Sequence, residues 1–205
     1  METSADFDRN TMHASAGNGA PGRQGDLAGG LRPVRWATML ALVVVAAVSA
    51  GGGDAHLVSV IVMVTSLAYL ASSALAFRGS AWVVAVSAAA AVAVAMYTPV
   101  DAVALLLIAA AAFVGLGLLR GARVDRRVLA IQAALFAAFS GVALTAMMLD
   151  PVAGLFLAAL TSIAHAVRDL RHERSGEVVG RTFAEFSAVL CAGAGFALIA
   201  GWVLA

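Results

Sequence analysis

The chain is cut into seven apolar runs, at about 36–52, 55–77, 81–97, 102–119, 128–149, 151–170 and 183–204, separated by short polar junctions. A helix needs roughly 20 apolar residues to cross about 30 Å of hydrocarbon, and these runs approach or reach that length. The third and fourth lie nearest the lower limit. Because lipid offers no partner to a backbone N–H or C=O, each run is expected to be an α-helix. Only 12% of the residues are charged, against roughly a quarter in soluble domains, and the mean hydropathy is +0.94. The expected fold class is therefore an all-α integral membrane protein of about seven transmembrane helices, spanning 35–205. Residues 1–34 are polar and Gly-rich and lack the basic start and apolar core of a signal peptide, so they are expected to form a disordered cytoplasmic tail.

The basic residues decide orientation. All are arginines, with no lysine in the chain. Arg9, Arg23, Arg32 and Arg35 precede the first run, and Arg78 separates the second from the third. Arg120, Arg123, Arg126 and Arg127 lie between the fourth and fifth, and Arg168, Arg171, Arg174 and Arg181 between the sixth and seventh. The alternate junctions, GGGDAH, MYTPVD and MLDP, contain none. With seven spans every arginine falls on one side, which the positive-inside rule makes the cytoplasm, with the N-terminus in and the C-terminus out. The absence of lysine also excludes a retinal Schiff base. Cys191 stands alone in an apolar run, so no intrachain disulfide forms, and it reads as a small buried hydrophobe.

Each arginine-free junction carries an aspartate at the start of the next run: Asp54, Asp101 and Asp150. These are expected helix caps, accepting from orphan N–H groups at the positive end of the helix dipole. They recur once per two-helix unit, which gives three tandem hairpins, 35–80, 81–125 and 126–175, followed by a final helix at 183–204. The second and third units, MYTPVDAVALLLIAAAAFVGLGLLRGAR and MMLDPVAGLFLAALTSIAHAVRDLRHER, combine a Pro-containing turn with a small-residue helix ending in arginine. In this the chain resembles the HdeD family of small bacterial inner-membrane proteins. That resemblance implies a bacterial cytoplasmic-membrane protein tied to stress, and it supplies no catalytic residues.

Chemistry concentrates in TSIAHAVRDLRHERSGE, 161–177. At 100° per residue, Thr161, Ser162, His165, Arg168, Asp169 and His172 share one face. His165 falls about 22 Å along a helix that starts at Asp150, within the inner leaflet. Glu185 is expected at a similar depth on the antiparallel last helix. Ionisable groups at membrane depth usually pair inside the bundle. The leading expectation is a salt-bridged clasp of Arg168, Asp169 and Glu185 with His165. The alternatives are a proton-carrying group built on the same residues, or a divalent-metal or haem site. His165, Asp169, His172 and Glu185 are the metal candidates, although His165 and His172 lie about 10 Å apart along the axis. Gly193, Ala197 and Gly201 make a small-residue stripe suited to close helix packing, within the monomer or against another copy or a partner.

No nucleotide-binding, hydrolase or metalloprotease motif occurs, and every junction is too short for a soluble catalytic domain. The expected function is accordingly non-enzymatic, of structural, stress-related or accessory-subunit type, in contact with the lipid bilayer and not with nucleic acid. No cofactor is called for. The first alternative is a transporter or proton or ion conductor using helices six and seven. The seven-span reading makes a topological prediction. Alkaline phosphatase fused to the C-terminus is expected to be active in cells, and green fluorescent protein fused there dark. The reverse pattern would mean an even number of spans.

Overall fold

The computed structural model describes residues 35–175 and 178–204. The expected N-terminal tail, 1–34, lies outside them. The described residues form seven α-helices and no strand: α1 (Trp36–Ala50), α2 (Ala55–Leu75), α3 (Ser80–Ala95), α4 (Ala102–Leu119), α5 (Arg126–Met148), α6 (Pro151–Ser175) and α7 (Arg181–Leu204), with one 3₁₀ turn at Gly121–Arg123. Five of these, α2, α4, α5, α6 and α7, are long and apolar enough to cross a membrane. The short ones are α1 and α3, of 15 and 16 residues, whereas α4 reaches span length. The first apolar run loses its last turn because Gly51, Gly52 and Gly53 follow Ala50, and Gly52 adopts a left-handed φ of +70°.

The aspartates act as caps. Asp54 accepts from the Leu57 N–H, Asp101 from Ala104, and Asp150 from Val152 and Ala153. Asp125, at an arginine-bearing junction, caps α5 in the same way by accepting from Arg127 and Val128.

Packing departs from the hairpin units at the first of them, whereas α3 touches α4 and α5 touches α6. The central helix is α2, which touches α3, α4, α5, α6 and α7, while α1 leaves its sequence neighbour and docks on α7. Burial separates centre from periphery: 78% of the membrane-length stretch of α2 is buried, against 17% for α4. A central helix gains from polar side chains that need no outside partner. Three of those on α2 bond to its own backbone, Thr65 Oγ1 to the Ile61 carbonyl, Ser72 Oγ to Ala68 and Ser73 Oγ to Leu70. Met63, Leu67 and Leu70 then meet Leu106 of α4 and Leu129 and Phe136 of α5 in the main apolar core.

The most extensive helix pair is α6 with α7, and small residues set its closeness. A Cβ on Gly195 would stand 2.8 Å from the Ala159 carbonyl oxygen and 2.9 Å from Ile163 Cγ1. Of the small-residue stripe, Gly193 is used within the chain, where Val45 of α1 fills the space beside it, while Gly201 has open space around it. Gly195→Ala is therefore expected to cost about 1–3 kcal/mol through a backbone clash, and Gly201→Ala to be neutral or stabilising. Thermal unfolding in mild detergent compares the two, and equal stabilities would contradict this account of the interface.

Candidate functional site

The polar face of α6 points inward, toward α2 and α7. Thr161, Ser162, His165 and Asp169 are all buried, the last three completely. His165 Nε2 and Asp169 Oδ2 lie 3.5 Å apart, one helical turn from each other. Their separation is ionic-pair distance, but the geometry does not make a hydrogen bond, and both Nε2 of His165 and Oδ1 of Asp169 lack hydrogen-bond partners among the described residues. Neighbouring helices supply hydroxyls instead. Ser187 Oγ of α7 donates to Asp169 Oδ2. Ser66 Oγ of α2 stands 3.4 Å from His165 Nδ1. Ser162 Oγ donates to the Cys191 carbonyl at 2.7 Å, binding α6 to α7.

Arg168 leaves this group toward α5. Its Nη2 donates to Gln132 Oε1, and its guanidinium sits 4.5 Å from the centre of the Tyr69 ring. A cation over a desolvated aromatic face gains about 2 kcal/mol. The Nε and Nη1 of Arg168 have no hydrogen-bond partner among the described residues. Tyr69, wholly buried, organises the aromatic surroundings. His172 packs on it at 5.2 Å between ring centres, His165 meets it edge-on at 6.1 Å, and Phe139 of α5 closes the other side of His165 at 4.8 Å.

The expected clasp of Arg168, Asp169 and Glu185 does not form. Glu185 faces α1, where it accepts from Thr38 Oγ1 and lies 3.4 Å from Arg35 Nε. Arg35 also donates to Glu173 of α6 at 3.0 Å. A clasp therefore exists, but it joins α1, α6 and α7 through Arg35 at the arginine end. The reason is helical phase. Ser187 and Cys191, four residues apart, share the α7 face that meets α6, and Glu185 is about 200° away from Ser187. That phase was legible in the sequence. Tyr69, Ser66 and Gln132 carried no comparable signal, because nothing local says which apolar span will be central.

The expected metal set of His165, Asp169, His172 and Glu185 also divides. Among the described residues, the group with metal-ligand spacing is His165, Asp169 and Cys191, whose ligand atoms all lie within 4.8 Å of one another. Cys191 is a hydrophobe by burial but a site residue by position, with Sγ 3.8 Å from Thr65 Oγ1.

At the opposite end, a cavity of about 540 Å³ is lined by Asp54, His56 and Asp150 with Gly201 and Trp202. Between it and the buried site lies an apolar cluster of Val58, Ala146, Ala158, Ala159, Ala194 and Leu198. A second cavity, apolar and of about 410 Å³, opens between α1, α2, α3 and α7 and reaches Thr65.

No protein-family model, curated protein or solved structure matches this chain. The site is thus read from its own geometry. Asp169→Ala removes the acceptor of Ser187 and the counter-charge near Arg168 inside the bundle, for an expected loss of about 3–5 kcal/mol. Asp101→Ala removes only a cap, for about 1 kcal/mol. Unfolding in detergent measures both, and equal losses would mean that Asp169 is not a buried ionic partner.

Proposed function

We propose that this is a seven-span bacterial cytoplasmic-membrane protein, N-terminus inside, that passes a small cation, in the first instance a proton, through the buried site on α2, α6 and α7. The observation that carries this reading is the pair of His165 and Asp169, both completely buried, 3.5 Å apart, with Nε2 of His165 left without a hydrogen-bond partner among the described residues. A purely structural polar network is expected to satisfy its members, since each orphan costs about 1–3 kcal/mol. Imidazole beside a carboxylate in a membrane core is the composition of a proton relay.

The arrangement along the bundle axis supports the same reading. Arg168 and His172 stand on the arginine side of the site, and Ser66 continues the polar line into α2. An apolar layer follows, and beyond it the aspartate-lined cavity. Layers of this kind give a cation two polar stations separated by a narrow barrier. That α1 and α3 complete seven spans is part of the proposal, supported by the arginines and the antiparallel succession of helices. So is the HdeD-like, non-enzymatic stress context, which would give proton passage a physiological setting.

One observation favours a second reading, a structural or accessory-subunit role. The Arg35 clasp ties three helices together at the arginine end without any group left to react.

Reconstitution separates the two. Liposomes holding the full-length protein and a trapped pH dye, energised by a potassium diffusion potential, are expected to acidify faster than protein-free liposomes. Asp169→Asn is expected to return the rate to the protein-free level. Arg35→Gln, which removes the exposed arginine from Glu173 and from the buried Glu185 at the arginine end, away from His165 and Asp169, is expected to keep the flux. A wild-type rate equal to that of empty liposomes would leave the structural role as the better reading.

A further inference from the structure

We infer that His165, Asp169 and Cys191 form a binding site for one divalent transition-metal ion of the zinc or cobalt(II) class. The inference rests on the reading above, that the buried site takes a small cation, and names the cation that its donor set fits.

Donor chemistry comes first. An imidazole nitrogen, a carboxylate oxygen and a thiol sulfur make a borderline-soft set, which suits Zn²⁺ and Co²⁺ and disfavours Mg²⁺ and Ca²⁺. Geometry agrees. With metal–nitrogen and metal–oxygen distances of about 2.0–2.1 Å, two ligand atoms of a tetrahedron stand about 3.4 Å apart. His165 Nε2 and Asp169 Oδ2 stand 3.5 Å apart. Cys191 enters from the facing helix, and the widest separation among the three ligand atoms, 4.8 Å at most, closes with small side-chain rotations.

The outer partners are independent support. Ligating side chains are oriented by hydrogen bonds from groups outside the metal shell, and each of the three has a hydroxyl within reach, that of Ser66 on the ring nitrogen away from the metal and those of Ser187 and Thr65 at the ligand atoms Asp169 Oδ2 and Cys191 Sγ themselves. Ser66 Oγ sits at His165 Nδ1, which leaves Nε2 for the metal. Ser187 Oγ holds Asp169, and Thr65 Oγ1 is next to Cys191 Sγ. The unpartnered Nε2 of His165, on a completely buried ring, is aimed into the space these groups surround.

The charge count is closed by one proton. Binding releases the Cys191 thiol proton to solvent, so a thiolate and the Asp169 carboxylate together neutralise the two charges of the ion. The occupied ligand shell is then neutral, one unit more positive than the empty one with its single carboxylate charge. Three protein ligands leave one position of the tetrahedron open, as in sites that exchange what they bind, whereas closed structural sites use four.

The experiment uses untagged full-length protein in mild detergent, titrated with Co²⁺. The expected result is one equivalent bound, with visible d–d absorbance of tetrahedral intensity and a near-ultraviolet thiolate-to-cobalt charge-transfer band. Cys191→Ser should abolish the charge-transfer band, and Ser66→Ala should weaken binding about tenfold or more. Asp101→Asn, at an exposed helix cap outside both the buried site and the aspartate-lined cavity, should change neither. Should Cys191→Ser fail to fold, X-ray absorption of the zinc-loaded wild type reads the same point through a single sulfur neighbour at about 2.3 Å. Folded wild type that binds no stoichiometric cobalt or zinc, or a charge-transfer band that survives in Cys191→Ser, overturns the inference. Proton flux without metal binding would remove the metal site and keep the conduction reading. Metal binding in liposomes that pass neither protons nor zinc would do the opposite.

Discussion

Hydrocarbon offers no hydrogen-bond partner, and α2 is where this chain meets that constraint. A helix surrounded by five others has few side chains facing lipid, and α2 is rich in Ser, Thr, Ala and Val beside its core residues Met63, Leu67 and Leu70, with several hydroxyls turned back onto its own carbonyls. Small side chains let α5, α6 and α7 approach, and the hydroxyls that are not fully used by α2 serve its neighbours. Ser66 and Thr65 reach His165 and Cys191 because α2 is already in the middle. Had α2 lain at the periphery, the polar face of α6 would have had only α5 and α7 to answer it.

The chain's two ionic arrangements obey different physics. At the arginine end, Arg35 is well exposed and bridges Glu173 and Glu185. Solvent and salt screen such contacts, so their value is positional: they set where α1 crosses α7. Asp169, His165 and Arg168 lie deeper, where removing one partner strands the others. There Arg168 is held by a neutral amide and an aromatic face, and Asp169 by a hydroxyl. Neither charge is cancelled by a direct contact with the other, and the His165 ring stands 3.5 Å from the carboxylate.

How much of this was written in local sequence follows from the range of each interaction. Helix positions and caps depend on apolar run length and on residues within one turn, and Asp54, Asp101 and Asp150 announced them. The shortness of α1 was also local, encoded in three glycines. Glu185 misled because depth along an axis is easy to count, while the face it occupies depends on which side of α7 meets α6. The i, i+4 pair of Ser187 and Cys191 gave that side. Tyr69 and Gln132 were illegible for a different reason. Their roles arise from α2 becoming central and α5 packing beside it, and helix order in a bundle is a property of all the faces together.

The apolar layer between the buried site and the aspartate-lined cavity also depends on several faces meeting at once. Its buried members are Ala146, Ala158, Ala159 and Ala194 with Val58 and Leu198, and Leu155, Leu157 and Ile199 pack half-buried around them. A layer of large side chains would interlock and resist rearrangement, since packed cores transmit strain. Alanines have no rotamers to interlock and present little bulk, so in the cation path proposed above the width of this layer would follow small shifts of α6 against α7. Gly195, seated against the Ala159 backbone, is what lets the two helices approach so closely. The close approach that makes α6 and α7 the most extensive pair is thus set by a missing side chain, at the level where the proposed path is apolar.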